Sequence, residues 1–205
     1  MFTGLIEATG RIEAITAWGG ADGAASARQI RVSAALGAEL APGDSIAVSG
    51  ICLTVMAADS SGFEAIVSPE TLRVTTLRGM TEGRLVNLER PLRADARFGG
   101  HFVLGHVDAL GRVTRCEPDG ECYWLEVETP GQLSNLIIPK GSIAIDGISL
   151  TIASLSGPRV GVQIVPFTYD HTSLREAGVG DSVNLEADVI GKYVARQLHH
   201  EHAPR

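Results

Sequence analysis

The sequence predicts an all-β molecule: two tandem, pseudo-symmetric, six-stranded Greek-key β-barrels followed by a C-terminal α-helix. Three observations carry this prediction. First, the chain is written twice, with four blocks recurring in the same order. Ser45-Ile46-Ala47 with Gly50-Ile51-Cys52-Leu53-Thr54 returns 97 residues later as Ser142-Ile143-Ala144 with Gly147-Ile148-Ser149-Leu150-Thr151. Second, the repeated blocks alternate apolar with small or polar residues, which is the period of strands. Third, 24 glycines against only 5% aromatic residues favour many turns over long helices. About six short strands per half, joined by tight turns, form a small closed barrel because closure removes exposed edges.

The elements follow in order. Gly4 to Ile12 matches Gly105 to Val113 at an offset of 101, so the first half carries four extra residues. They are expected in the loop around Gly19, Gly20 and Gly23, where insertions are tolerated. Ile46/Val48, Leu53/Val55 and Val86/Leu88 mark strands, repeated as Ile143/Ile145, Leu150/Ile152 and Val183/Leu185. Ser68-Pro69-Glu70 starts a short helix running to Gly79, since a hydroxyl followed by Pro opens helices. Its partner block begins at Pro166. The seam falls near Gly99-Gly100-His101, and His101 to His106 should form a strand with the two imidazoles on opposite faces. Pro118-Asp119-Gly120 predicts a hairpin turn. Val189, Ile190, Tyr193, Val194 and Leu198 lie at helical spacing, giving a helix over about 188–200 that needs a surface to pack on. The domains are therefore 1–100 and 101–197, the second ending in that helix.

Composition excludes several functions. The net charge of −7 makes nucleic acid a poor partner. Three cysteines without CxxC spacing imply a reducing, cytoplasmic compartment, and neither a signal peptide nor a membrane span is expected. No phosphate-binding glycine loop, nucleophile elbow or zinc-binding helix motif is present. His199, His200 and His202 cluster on the tail and read as a solvated end, so no metal is expected.

Function shows where the copies differ. Cys52 becomes Ser149, Ser49 becomes Asp146, Gly43 becomes Lys140 and Leu5 becomes His106, while Thr54/Thr151 and Thr71/Thr168 are kept. Two like pockets, unequally armed, suit a reaction between two identical molecules, one donor and one acceptor. Each residue also has a plainer reading. Ser149 and Thr151 satisfy backbone groups, Asp146 makes a turn, Lys140 is a solvated charge, and Cys52 is a small buried hydrophobe.

Met1-Phe2-Thr3-Gly4, Gly50-x-Cys52-Leu53-Thr54, Pro69-Glu70-Thr71-Leu72 and Val86-Asn87-Leu88-Glu89 resemble the first repeat of the riboflavin synthase family. Gly99-Gly100-His101-Phe102-Val103-x-Gly105-His106-Val107-Asp108 resembles its inter-repeat signature, and Lys140-Gly141 with Asp146-Gly147-x-Ser149-Leu150-Thr151 its second repeat. The resemblance implies a homotrimer built on the C-terminal helix, working without cofactor. It further implies that two molecules of 6,7-dimethyl-8-ribityllumazine, held per site between neighbouring subunits, dismutate to riboflavin and 5-amino-6-(ribitylamino)uracil. Association with lumazine synthase is a further partner to test. The competing reading is a non-catalytic lumazine- or flavin-binding paralogue of the same fold.

By this resemblance the catalytic set is His106, Ser149, Thr151, Asp146 and Cys52. His106 with Thr151 or Ser149 moves protons, and Asp146 and Lys140 recognise ring or ribityl chain. The first barrel binds substrate through Ser45, Cys52, Leu53, Thr54, Ile66, Val67, Ser68, Pro69, Glu70 and Thr71. The second uses Lys140, Ser149, Leu150, Thr151, Gln163, Ile164, Val165, Pro166, Phe167 and Thr168. Phe2, Gly4, Leu5, Ile6, His101, Gly105, His106, Val107 and Asp188 complete the binding set. Two positions depart from the family pattern: Ile66 stands where an acid is usual, and Phe167 where a smaller or polar residue is common.

Overall fold

The computed structural model describes residues 1–19 and 27–201, with side chains as far as Leu198. The expected insertion at Gly20 and Gly23, and the side chains of His199, His200 and His202, lie outside the described residues. The first half forms β1 (Ala8–Ala17), β2 (Arg28–Ser33), β3 (Ser45–Val48), β4 (Ile51–Asp59), β5 (Gly62–Val67), α1 (Pro69–Val74) and β6 (Leu85–Glu89). The second forms β7 (Ala109–Asp119), β8 (Cys122–Glu128), β9 (Ser142–Ile145), β10 (Ile148–Ser156), β11 (Arg159–Ile164), α2 (Pro166–Asp170), β12 (Ser182–Ala187) and α3 (Val189–Glu201).

Each half closes into an antiparallel barrel. The strand order is β1-β2-β5-β4-β3-β6 in the first and, equivalently, β7-β8-β11-β10-β9-β12 in the second. The meander β3-β4-β5 with β2 returning beside β5 makes the Greek key. Alternation fills each interior. Ile12, Ile30, Ile46, Val55, Phe63 and Leu88 are sealed in one core, and Val113, Leu125, Ile143, Ile152, Val162 and Leu185 in the other. Bulges recur at matching places. The register slips between Val55 and Ala57 and between Ile152 and Ser154, and again in β1 and β7. An extra residue sharpens strand twist, so the repeated bulges bend both sheets to closure in the same way.

The barrels meet through their β3–β4 and β9–β10 turns. Gly50 and Gly147 lie face to face, and a Cβ on either would come within 2.6 Å of the other's backbone nitrogen. Two asparagines tie the turns reciprocally: Asn87 donates to the Asp146 carbonyl and Asn184 to the Ser49 carbonyl, both at 2.9 Å. Phe2 is fully buried beside this contact with Ala47, Val103 and Ala144.

Three expectations need correction. His101 to His106 is not a strand: only the isolated bridge between Phe2 and Val103 forms, because the N–H groups of Leu104, Gly105 and His106 go to the Glu186 carboxylate instead of a ladder. The hairpin turn is Gly120-Glu121, with Pro118 and Asp119 still paired to Tyr123 and Cys122 in the ladder. The helix from Pro69 stops at Val74 and resumes as a 3₁₀ turn over Thr76–Gly79. Thr75 is extended there, within a β-branched run that disfavours continuing the helix.

Candidate active site

Strand alternation places the candidate residues. Leu53 and Val55 face the first core, so Cys52 and Thr54 face outward; Leu150 and Ile152 leave Ser149 and Thr151 outside the second. Across the ladders Thr54 sits opposite Ser45, and Thr151 opposite Ser142. Each barrel thus displays a small hydroxyl patch bordered by a groove. The first groove, about 740 Å³, is lined by Leu5, Glu39, Asp44, Ser45, Glu89 and Arg90. The second, about 600 Å³, is lined by Leu136, Ile138, Gly141, Ser142, Asp188 and Gly191. Ser45 and Ser142 occupy the same repeat position, so the grooves are equivalent places with different chemistry. The first is ionic, and α3 gives the second an apolar wall.

Two chain segments cross between the barrels. The stretch before β1 lies against the second barrel, where Ser149 N–H donates to the Gly4 carbonyl at 2.8 Å and Ile6 packs on the core. The stretch before β7 lies against the first barrel, where Cys52 N–H donates to the Gly105 carbonyl at 2.9 Å and Val107 packs on that core. Both glycines have positive φ, and a Cβ would stand 2.6 Å from the Cβ of Ser149 or Cys52. Only glycine fits such an approach. The segments are pinned by two carboxylates that the residue pattern did not single out. Glu89 accepts from Thr3 N–H, the Thr3 hydroxyl and Gly4 N–H; Glu186 accepts from Leu104, Gly105 and His106 N–H. The repeated block ending in Glu89 and Glu186 was the available signal.

Of the two histidines expected at the site, His101 is the one whose ring contacts Ser149 within this chain. His101 Nδ1 shares a 2.7 Å hydrogen bond with Ser149 Oγ, its direction following the tautomer, while Nε2 is buried with no partner among the described residues. Burial lowers the His101 pKa below its ordinary value, and nearby Asp188 pulls the other way. A buried neutral imidazole on a serine hydroxyl is a competent proton acceptor. His106 is exposed, and only its backbone N–H is engaged, by Glu186.

Other expectations divide. Ser45, Cys52, Thr54, Ile66, Ser68, Pro69, Glu70 and Thr71 cluster on the outer rim of the first barrel, all at least partly exposed, with Ser68 capping α1 by accepting from Thr71 N–H. Glu70 is spent on an ion pair with Arg73. Thr151, Gln163, Val165, Pro166, Phe167 and Thr168 form the matching rim of the second, where exposed Phe167 stacks on His171. Asp188 lines the second groove and accepts from Ile190 N–H at the start of α3. Leu5 is half exposed at the first groove, and Lys140 is an exposed turn residue with φ of 65°. Leu53, Val67, Leu150 and Ile164 point their side chains into the cores, because alternation sends them there. Phe2 is a plug between barrels. Asp146, expected in catalysis, sits buried in the inter-barrel turn accepting from Asn184 N–H, and burial pushes its pKa up to about 7. Among the described residues no group of three acidic, His or Cys side chains could hold a metal.

The Lumazine binding domain family model matches residues 3–91 and 104–188. Riboflavin synthase of Bacillus subtilis (strain 168) is 43% identical over 199 residues, spanning 97% of this chain and 90% of that protein. Riboflavin synthase of Mycobacterium tuberculosis (strain ATCC 25618 / H37Rv) is 38% identical over 203 residues, with 97% and 98% covered. Among solved structures, LumP complexed with 6,7-dimethyl-8-(1'-D-ribityl) lumazine superposes with a TM-score of 0.80 over 91% of this chain and 99% of that one. At 20% identity that likeness bears on the fold.

Proposed function

The chain belongs to the riboflavin synthase family, with two lumazine-binding repeats, and on that premise we propose how its two unequal sites divide the reaction. The activity is riboflavin synthase: two 6,7-dimethyl-8-ribityllumazine molecules exchange a four-carbon unit to give riboflavin and 5-amino-6-(ribitylamino)uracil. One observation carries the division of labour. Both Ser149 and Cys52 have a glycine carbonyl on the backbone N–H, but among the described residues Ser149 alone of the two has an imidazole, His101, on its side chain.

The second barrel is therefore the proton-handling site. The C7 methyl of one lumazine is acidified by the electron-poor ring, and His101 acting with Ser149 takes its proton. Thr151 and Ser142 present hydroxyls to the ring edge, and Asp188 beside the groove supports the imidazolium that forms. The first barrel, with Ser45, Cys52 and Thr54, holds the second molecule. Bringing the two together supplies much of the rate. The sites are completed by copies of the chain, and the exposed apolar side of α3 supports a homotrimer. The domain boundary falls between residues 100 and 101, which leaves His101 with the barrel it serves. Three free thiols support a reducing, cytoplasmic setting, and co-sedimentation tests association with lumazine synthase.

The deciding assay gives the purified chain dimethylribityllumazine alone and follows riboflavin absorbance. Turnover is expected. Binding without turnover would overturn the reading in favour of a lumazine-binding paralogue.

A further inference from the structure

We propose that Glu89 and Glu186 are positioning residues acting crosswise, each carboxylate rooted in one barrel and shaping the site of the other. This rests on the assignment of His101, Ser149 and Cys52 to the two sites. Glu89 ends β6 of the first barrel, yet what it grips is Thr3 and Gly4, at 2.6 to 3.0 Å. Those two residues touch the second site twice: the Gly4 carbonyl accepts from Ser149 N–H, and the Thr3 carbonyl accepts from His101 N–H at 3.1 Å. Both members of the His101–Ser149 pair thus hang on a segment that Glu89 holds. Glu186 lies in β12 of the second barrel and grips Leu104, Gly105 and His106 at 2.7 to 3.0 Å. Its segment presents the Gly105 carbonyl to Cys52 of the first barrel.

Burial raises both pKa values above the ordinary range, while the surrounding donors pull the other way and favour ionised carboxylates. Both groups are nearly buried, at 4% and 2% exposure, and each meets three N–H or O–H donors, of which the Thr3 hydroxyl alone can also accept. A carboxylate offers lone pairs on both oxygens to such a set; a glutamine turns an NH₂ toward one of the donors. Merely anchoring the segments would steady the fold as a whole. Crossed wiring instead ties the shape of each site to the opposite barrel.

The test reads each site without turnover. Cys52 is followed by iodoacetamide alkylation with peptide mass spectrometry, and His101 by its imidazole NMR titration, in Glu89→Gln and Glu186→Gln. Glu186→Gln should speed Cys52 alkylation about tenfold and leave the His101 midpoint in place. Glu89→Gln should raise the His101 midpoint toward the ordinary range, as its burial relaxes, with Cys52 alkylation held within about twofold. Thr3→Val, which removes one donor to Glu89, should move His101 less in the same direction. Glu186→Asp serves if the glutamine variant does not fold, and should speed Cys52 alkylation. Equal disturbance of both probes, or disturbance confined to the barrel bearing the mutation, overturns the proposal. A failed riboflavin assay with crossed probe responses would overturn the catalytic reading alone.

Discussion

His101 is an imidazole held almost out of water, with one nitrogen on Ser149 and the other with no partner among the described residues. Burial disfavours its charged form, so its pKa lies below the ordinary 6.5, although Asp188 opposes the shift. On the proposed division of labour the neutral imidazole acts as the base, so turnover should fall as the pH drops through that lowered value and stay level above it. Asp188→Asn removes the influence that raises the pKa. Its acid limb should therefore move to still lower pH, by a few tenths of a unit or more, in a kcat profile. A limb moving upward would mean that Asp188 does not act on His101. His101→Gln should erase the limb and cost about a hundredfold in kcat with KM little changed, the usual scale for a lost general base. His106→Gln should cost far less, since its ring is exposed. Equal losses for the two histidines would return His106 to the centre of the site.

The turns joining β3 to β4 and β9 to β10 show how one repeated element takes two chemistries. Ser49 and Asp146 hold the same position with φ near 45°, and the side chain of each accepts from the backbone N–H of the asparagine in its own barrel, Asn87 or Asn184. Only Asp146 carries a titratable group into this buried contact, where lost hydration pushes its pKa from 3.8 up to about 7. The folded protein then keeps a proton that the unfolded chain releases between those values, so stability declines as pH rises from 3.8 to about 7. Asp146→Asn keeps the acceptor and tolerates positive φ without the charge. By denaturant unfolding it should be about 1–2 kcal/mol more stable than the parent near pH 8, and equal to it near pH 4. Lost turnover with unchanged stability would instead make Asp146 catalytic. The repeat made Asp146 conspicuous as a difference between copies, but difference alone cannot distinguish a ligand-facing acid from a buried turn residue. The barrels themselves were legible, because alternation and duplication are local patterns. The crossing of the Thr3–Gly4 and Leu104–Gly105 segments was not: it depends on contacts more than 80 residues apart, which no periodicity encodes. The repeat aligns His106 with Leu5 and so draws attention to it, whereas the His101–Ser149 contact joins residues 48 apart and leaves no such mark.

At the scale of the molecule, α3 keeps part of its apolar surface exposed. Lys192 pins it to Asp108 at 2.6 Å, but Ile190, Tyr193 and Val194 remain 54 to 71% exposed. A helix of 13 residues is marginal in water unless an apolar face is covered, and this one also walls the second groove. A neighbouring copy placed there would bury the helix and close the groove in one step, bringing a Cys52 site to a His101–Ser149 site. Ending the chain before Ile190 should therefore give monomers by sedimentation that still bind lumazine but turn it over at least about a hundredfold more slowly, as expected when two reactants lose their common enclosure. If the proposed homotrimer forms the sites, activity per subunit of the intact chain should fall on dilution. Truncated chains that sediment as trimers would place the interface elsewhere. Truncated monomers with full turnover would show that one chain brings its own two sites together, and the unequal pair would then work within a single molecule.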